Sequence, residues 1–124
     1  DGIGVCPKLW SHATPAHLTH WHLFTIATFL MGTNGKSLYC FTGAKTTAGM
    51  REDSPLDHTA IGMPTGAMTS KNGAYLRAYS NGIAAANPGT SAVTVQLGGT
   101  YMNLSGRAVT SETLPAHTGD AFVK

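Results

Sequence analysis

The chain has 124 residues, 42% of them hydrophobic, with eight Lys and Arg against six Asp and Glu for a formal net charge of +2. That length is enough for a domain with a buried core. Charged residues make up only 11%, under half of the usual quarter, and the cations are scattered singly, so no basic stripe for nucleic acid forms. The longest apolar run, from Leu23 to Met31, is broken by Thr25 and Thr28 and is too short to span a bilayer. A composition rich in Gly, Thr, Ser and Asn suits turn-rich β structure of the secreted kind. A secreted or extracellular location is therefore expected. No stretch reads as a signal peptide and the first residue is not Met, as in a mature form, a truncation or a recombinant piece.

Residues 1–13 are irregular. Thr14-Pro15 then marks a helix start, because Thr can cap and Pro is favoured at the first helical position. Leu18, Trp21, Phe24, Ala27 and Met31 recur at helical spacing, with Leu23, Ile26 and Leu30 beside them. The spacing predicts a largely buried helix over 15–31, stopped by Gly32 and the turn Asn34-Gly35. "SLYCFTG" reads as a short buried strand. Cys6 and Cys40 could form one disulfide in an oxidising compartment or remain buried thiols. Residues 44–73 read as a loop or link, rich in Gly and Pro and without a sustained period; three of the six carboxylates, Glu52, Asp53 and Asp57, lie in it.

From residue 74 the pattern changes to alternation. "AYLRAY" puts Tyr75, Arg77 and Tyr79 on one face and Leu76 and Ala78 on the other. "SNG" predicts a tight turn through positive φ at Asn81 and Gly82. "IAAAN" returns, "NPGTS" turns again, and "AVTVQL" alternates Val93, Val95 and Leu97 inward. Gly98-Gly99 predicts a turn into "TYMNLSG", followed by "RAVTSETL" and "DAFVK". Five or six short strands at regular spacing argue an antiparallel sandwich. The expected fold class is α+β, mainly β, with an N-terminal helix packed on an antiparallel β-sandwich.

Those turn and strand motifs carry a resemblance. Arg77, Asn81-Gly82, Asn87-Pro88, Val93–Leu97, Gly98–Tyr101, Leu104–Gly106, Leu114-Pro115 and Thr118-Gly119 together resemble the small β-sandwich that ends many TIM-barrel glycoside hydrolases of the hypothetical glycosyl hydrolase type. "LFTIATFLMGTNGKSLYCF" is similar to the late helix and final barrel strand of such enzymes, and "IGMPTGAM" to their link into the sandwich. The resemblance implies three parts: a helix–strand segment over 1–43, a link over 44–73 and the sandwich over 74–124. A full barrel needs about 250 residues, so the chain would be a fragment of one. The surface a barrel would cover must be buried by the helix folding onto the sandwich or by pairing with another copy.

The resemblance implies a carbohydrate-active protein that hydrolyses or binds oligosaccharide. Glycoside hydrolysis uses two carboxylates, about 5–5.5 Å apart for retention or about 6.5–9.5 Å for inversion. If the strand "SLYCF" ends a barrel, the following loop lies on the sugar-binding face, and Glu52, Asp53 and Asp57 become the catalytic candidates; the alternative is three solvated loop charges. Sugar binding asks for aromatic faces with amides and hydroxyls. Trp10, Tyr75, Arg77 and Tyr79 are the substrate-binding candidates, and the Tyr75–Arg77–Tyr79 face is either a binding strip or a packed inner face. His17 and His20, three apart, share a helical face, but a metal needs further ligands such as His12, His58 or a carboxylate. No cofactor is expected. Two other readings stand beside the first: an accessory sandwich that is structural or sugar-binding without catalysis, and a small histidine-based metalloprotein.

Overall fold

A computed structural model describes residues 15–36 and 58–124. The strand expected at 37–43, both cysteines, Trp10, His12, Glu52, Asp53 and Asp57 lie outside the described residues. The chain order is α1 (Pro15–Gly32), β1 (Thr69–Lys71), β2 (Ala74–Tyr79), β3 (Gly82–Asn87), β4 (Val93–Asn103), β5 (Ala108–Leu114) and β6 (Thr118–Val123). The fold is α+β and mainly β, one helix packed on antiparallel strands. All six strands join in one sheet, in the order β1-β2-β3-β6-β4-β5. α1 is not long and apolar enough to cross a membrane, nor is any other helix among the described residues.

The sheet curls because β4 is bent. Gly98-Gly99 is not a turn: β4 continues through it as one strand of 11 residues. Its pairing with β5 changes register between Gln96 and Tyr101. Gly98 adopts φ 74, the left-handed region that glycine reaches at no steric cost, and the extra residues form a bulge. Beyond the bulge, Met102 and Asn103 pair with Val123 and Phe122 of β6. Before it, β4 and β5 fold back across the other strands.

The curl gives the sheet two buried faces. Inside it, Ala74, Ala85, Val95, Leu97, Leu114 and Phe122 form one cluster, joined by half-buried Leu76, Ile83, Val93, Tyr101 and Val109. On the convex face, Ile26 and Leu30 of α1 pack on Ile61, Tyr79, Ala84 and Ala121. Strand alternation makes this possible: in β3, Ala84 faces the helix while Ile83 and Ala85 face the curl. Two layers therefore pack on the middle strands, as a sandwich would, although the strands remain in one sheet.

Of the wide apolar face expected for the helix, one part is seated against the sheet. His22, Thr25, Ile26, Ala27, Leu30 and, just beyond the end, Thr33 are buried, whereas Leu18, Trp21, Phe24 and Met31 are half-buried. The reason is steric. A Cβ on Gly119 of β6 would collide with the Ala27 Cβ, so the small pair Ala27–Gly119 sets the closest approach of helix to sheet. Larger residues flank that point.

Two turn expectations change. Residues 69–71, inside the expected loop, form β1, which joins β2 through Asn72 and Gly73 at φ 54 and 88, a pair of left-handed residues suited to a tight hairpin. The "SNG" hairpin closes through Ser80-Asn81 with neither Asn81 nor Gly82 at positive φ. Gly82 serves another purpose, since a Cβ there would strike the Phe122 carbonyl oxygen.

Arg77 ties the helix end to the sheet. Its Nη1 donates to the Leu30, Met31 and Thr33 carbonyls at 3.2, 3.2 and 2.5 Å, and its Nε to the Gly66 carbonyl at 3.0 Å. The Leu30 and Met31 carbonyls belong to the last turn of the helix, where carbonyls lack intrahelical partners and carry the negative end of the helix dipole. Tyr79, 6% exposed, adds a hydroxyl bond to the Leu30 carbonyl at 2.5 Å. Burial pushes its phenol up, with Arg77 pulling the other way. Arg77→Met keeps the aliphatic stem and removes these bonds; it should lower the unfolding free energy by about 2 kcal/mol. Urea unfolding followed by helical circular dichroism checks this.

Candidate functional site

The carboxylates singled out in the sequence, and Trp10, lie outside the described residues, so the site is built from the groups that the fold does bring together. A cleft of about 290 Å³ opens between the N-terminal half of α1 and the β5–β6 hairpin. Ala16, Thr19, His20 and Leu23 supply the helix wall. Thr113, Leu114, Pro115, Thr118 and Gly119 supply the hairpin wall, while Ser105, Glu112 and Asp120 close one side.

Three devices hold these walls. Asn87, 0% exposed, donates from Nδ2 to the carbonyls of Ser91, Leu114 and Pro115 at 2.8, 3.0 and 3.0 Å. Its Oδ1 accepts from Gly89 N at 3.0 Å. One buried amide thus fixes the β5–β6 turn against the β3–β4 turn. His117 takes φ 51 in the β5–β6 turn, a left-handed conformation uncommon outside glycine. His20 Nε2 lies 2.9 Å from the His117 carbonyl oxygen. A carbonyl only accepts, so Nε2 carries the hydrogen, and in the neutral ring Nδ1 is left as an acceptor. Asn103 shapes the turn after β4: its Oδ1 accepts from Ser105 N and Arg107 N at 3.1 and 2.9 Å.

Asp120 is the most perturbed group in the site. It is 5% exposed, and Oδ1 accepts from Leu104 N at 3.0 Å and Ala121 N at 2.8 Å. Among the described residues Oδ2 has no hydrogen-bond partner. Burial pushes the carboxyl up to about 6; the two backbone N–H groups oppose that, and the charge of Glu112 adds to it. Glu112 is half-buried, and its Oε2 accepts from Asn103 Nδ2 at 3.4 Å. Thr118 is 7% exposed, and its Oγ1 is buried with no hydrogen-bond partner among the described residues. Native proteins leave few such groups.

The raised Asp120 pKa has a stability consequence whose sign follows from linkage. The folded state holds this proton up to about pH 6, whereas an unfolded Asp releases it near pH ~3.9. Between those values the native state binds more protons, so stability from this group falls as pH rises. Asp120 should therefore cost about 2 kcal/mol on going from pH 4 to pH 7. Asp120→Asn keeps an oxygen for Leu104 and Ala121 and should remove that slope. Parallel urea titrations of both proteins across this range, subtracted one from the other, check it.

Of the substrate-binding candidates, Tyr79 lies in the packed core and Arg77 spends its donors on the helix end; Tyr75, 38% exposed, is the member of that face open to solvent. His17 stacks on Trp21, with ring centroids 5.9 Å apart, and His20 is bonded to the hairpin. No group of three or more His, Cys, Asp or Glu able to hold a metal occurs among the described residues. The sequence reading passed over Glu112, Thr118 and Asp120. One signal was available: a carboxylate inside the strand "TGDAFV" is a poor β-former, and a site is the usual reason to tolerate one. Comparison with protein-family models, curated proteins and solved structures finds no match.

Proposed function

We propose that this chain is a carbohydrate-binding unit from a sugar-cleaving protein, with the cleft between α1 and the β5–β6 hairpin as the sugar site. The observation that supports it is the lining: Ser105, Glu112 and Asp120 stand across a concave space from Thr19 and His20 of the helix, beside apolar Ala16, Leu23, Leu114 and Pro115. Sugars present this mixture, with hydroxyls that both donate and accept around apolar C–H faces. Exposed Tyr75 lies on β2, away from the cleft lining. The motif resemblance to a glycoside hydrolase sandwich points to the same ligand class.

Titration calorimetry against neutral and charged oligosaccharides tests the reading, with release of reducing sugar followed on the same samples. Heat without turnover is the expected result. Absence of heat with every sugar would refute it. Release of reducing ends would instead make the chain a hydrolase, and amide replacement of Glu52, Asp53 and Asp57 one at a time would then identify the pair.

A further inference from the structure

We infer that the cleft selects a ligand carrying a protonated amine and, resting on the sugar reading above, that its ligand is an amino sugar. The lining holds two carboxyl groups, Glu112 and Asp120, and no lysine or arginine among the described residues. Asp120 Oδ1 already serves two backbone N–H groups, leaving Oδ2 without a donor. His20 gives its Nε2 hydrogen to the His117 carbonyl. Such a set holds two acidic acceptors and no cation, and an ammonium group supplies three donors with a positive charge.

Charge explains why a neutral or anionic sugar fits less well. Two carboxylates share one side of the cleft, and the burial that raises Asp120 is a cost of holding its charge without a counter-ion. A cation seated against Oδ2 offsets that cost; a uronic acid or a sulfated sugar adds a third negative group. Charge-assisted hydrogen bonds are roughly twice as strong as neutral ones. An ammonium–carboxylate contact in this half-enclosed place should therefore favour the amine by about tenfold in affinity.

N-acetylation isolates the charge, because it removes the cation and leaves the sugar skeleton in place. Calorimetry with a glucosamine disaccharide and its N-acetylated counterpart should show the free amine binding about tenfold tighter. The double variant Glu112→Gln, Asp120→Asn should bring the two to equal affinity while circular dichroism shows the fold unchanged. Equal affinity in the unaltered protein, or a preference that survives the double variant, would overturn the inference while leaving sugar binding intact. Ethanolamine and spermidine form a separate arm: if they bind with the same dependence on Glu112 and Asp120 while no sugar does, the amine site stands and the sugar reading falls. Calcium chloride alone is the last arm, and saturable heat from it that depends on both carboxylates would make this a metal site and refute the amine. Silence from every ligand would overturn both proposals.

Discussion

Phe122→Ala should lower the unfolding free energy by about 3–5 kcal/mol, the cost of emptying a core site that its neighbours cannot refill. Phe122 is 0% exposed and is among the largest fully buried side chains. It lies in β6, between β3 and the far half of β4, where its backbone pairs with Ile83 and Asn103. Its side chain sits inside the curl with Ala85, Val95, Leu97 and Leu114. Those neighbours are β-branched, small or already committed to strands, so the walls cannot close in. Urea denaturation read by both circular dichroism and tryptophan fluorescence measures the loss. A cost below about 1 kcal/mol would mean that the curled sheet does not enclose this residue as described.

The second large effect belongs to the seam between helix and sheet. Gly119→Val should destabilise by about 3 kcal/mol, at the upper end of overpacking costs. A Cβ there would strike the Ala27 methyl and lie 2.9 Å from the Ala85 carbonyl oxygen. The methyl can move only if α1 lifts, and the carbonyl only if the β3–β6 ladder breaks. Because Gly119 also lines the cleft, the same substitution should abolish ligand binding even where the protein remains folded. Gly66→Ala is the control: a Cβ there meets nothing within 4 Å, and its effect should stay within about 0.5 kcal/mol. If Gly119→Val matched that control, the helix would not be seated on β6.

Much of this architecture is legible in the sequence. Alternation in "AYLRAY" and "AVTVQL" marks strands because a sheet with one packed face needs apolar residues at every second position. Thr14-Pro15 and Gly32 mark the helix ends because Pro suits the first helical position and Gly ends a helix without strain. What is not legible depends on three-dimensional neighbours. Gly98-Gly99 reads as a turn, since a bulge and a turn ask the same backbone freedom of glycine; the later pairing of Met102 and Asn103 with β6 makes it a bulge. The seat of the helix is also beyond the sequence. Apolar residues run almost all round α1, so spacing alone cannot choose the seat, and Gly119, far along the chain, decides it. Tyr79 and Arg77 have the composition of a sugar platform, yet both are turned to the helix end by carbonyls that only the folded chain places nearby.

The candidate site is less legible still. Glu112, Thr118 and Asp120 follow no motif spacing, and His20 comes from another element nearly a hundred positions away. Only the turn fixed by Asn87 and the helix seated at Gly119 gather them. The loop carboxylates Glu52, Asp53 and Asp57 remain candidates for hydrolysis, and the binding proposed for the cleft does not depend on them.

Amide chemical-shift mapping with a glucosamine disaccharide tests the central claim most directly. Shifts should concentrate at Thr19, His20, Ser105, Glu112, Thr118 and Asp120 and vanish in the Glu112→Gln, Asp120→Asn protein. Shifts gathered around Tyr75 and the β1–β2 hairpin instead, or none at ligand concentrations that saturate the heat signal, would contradict it.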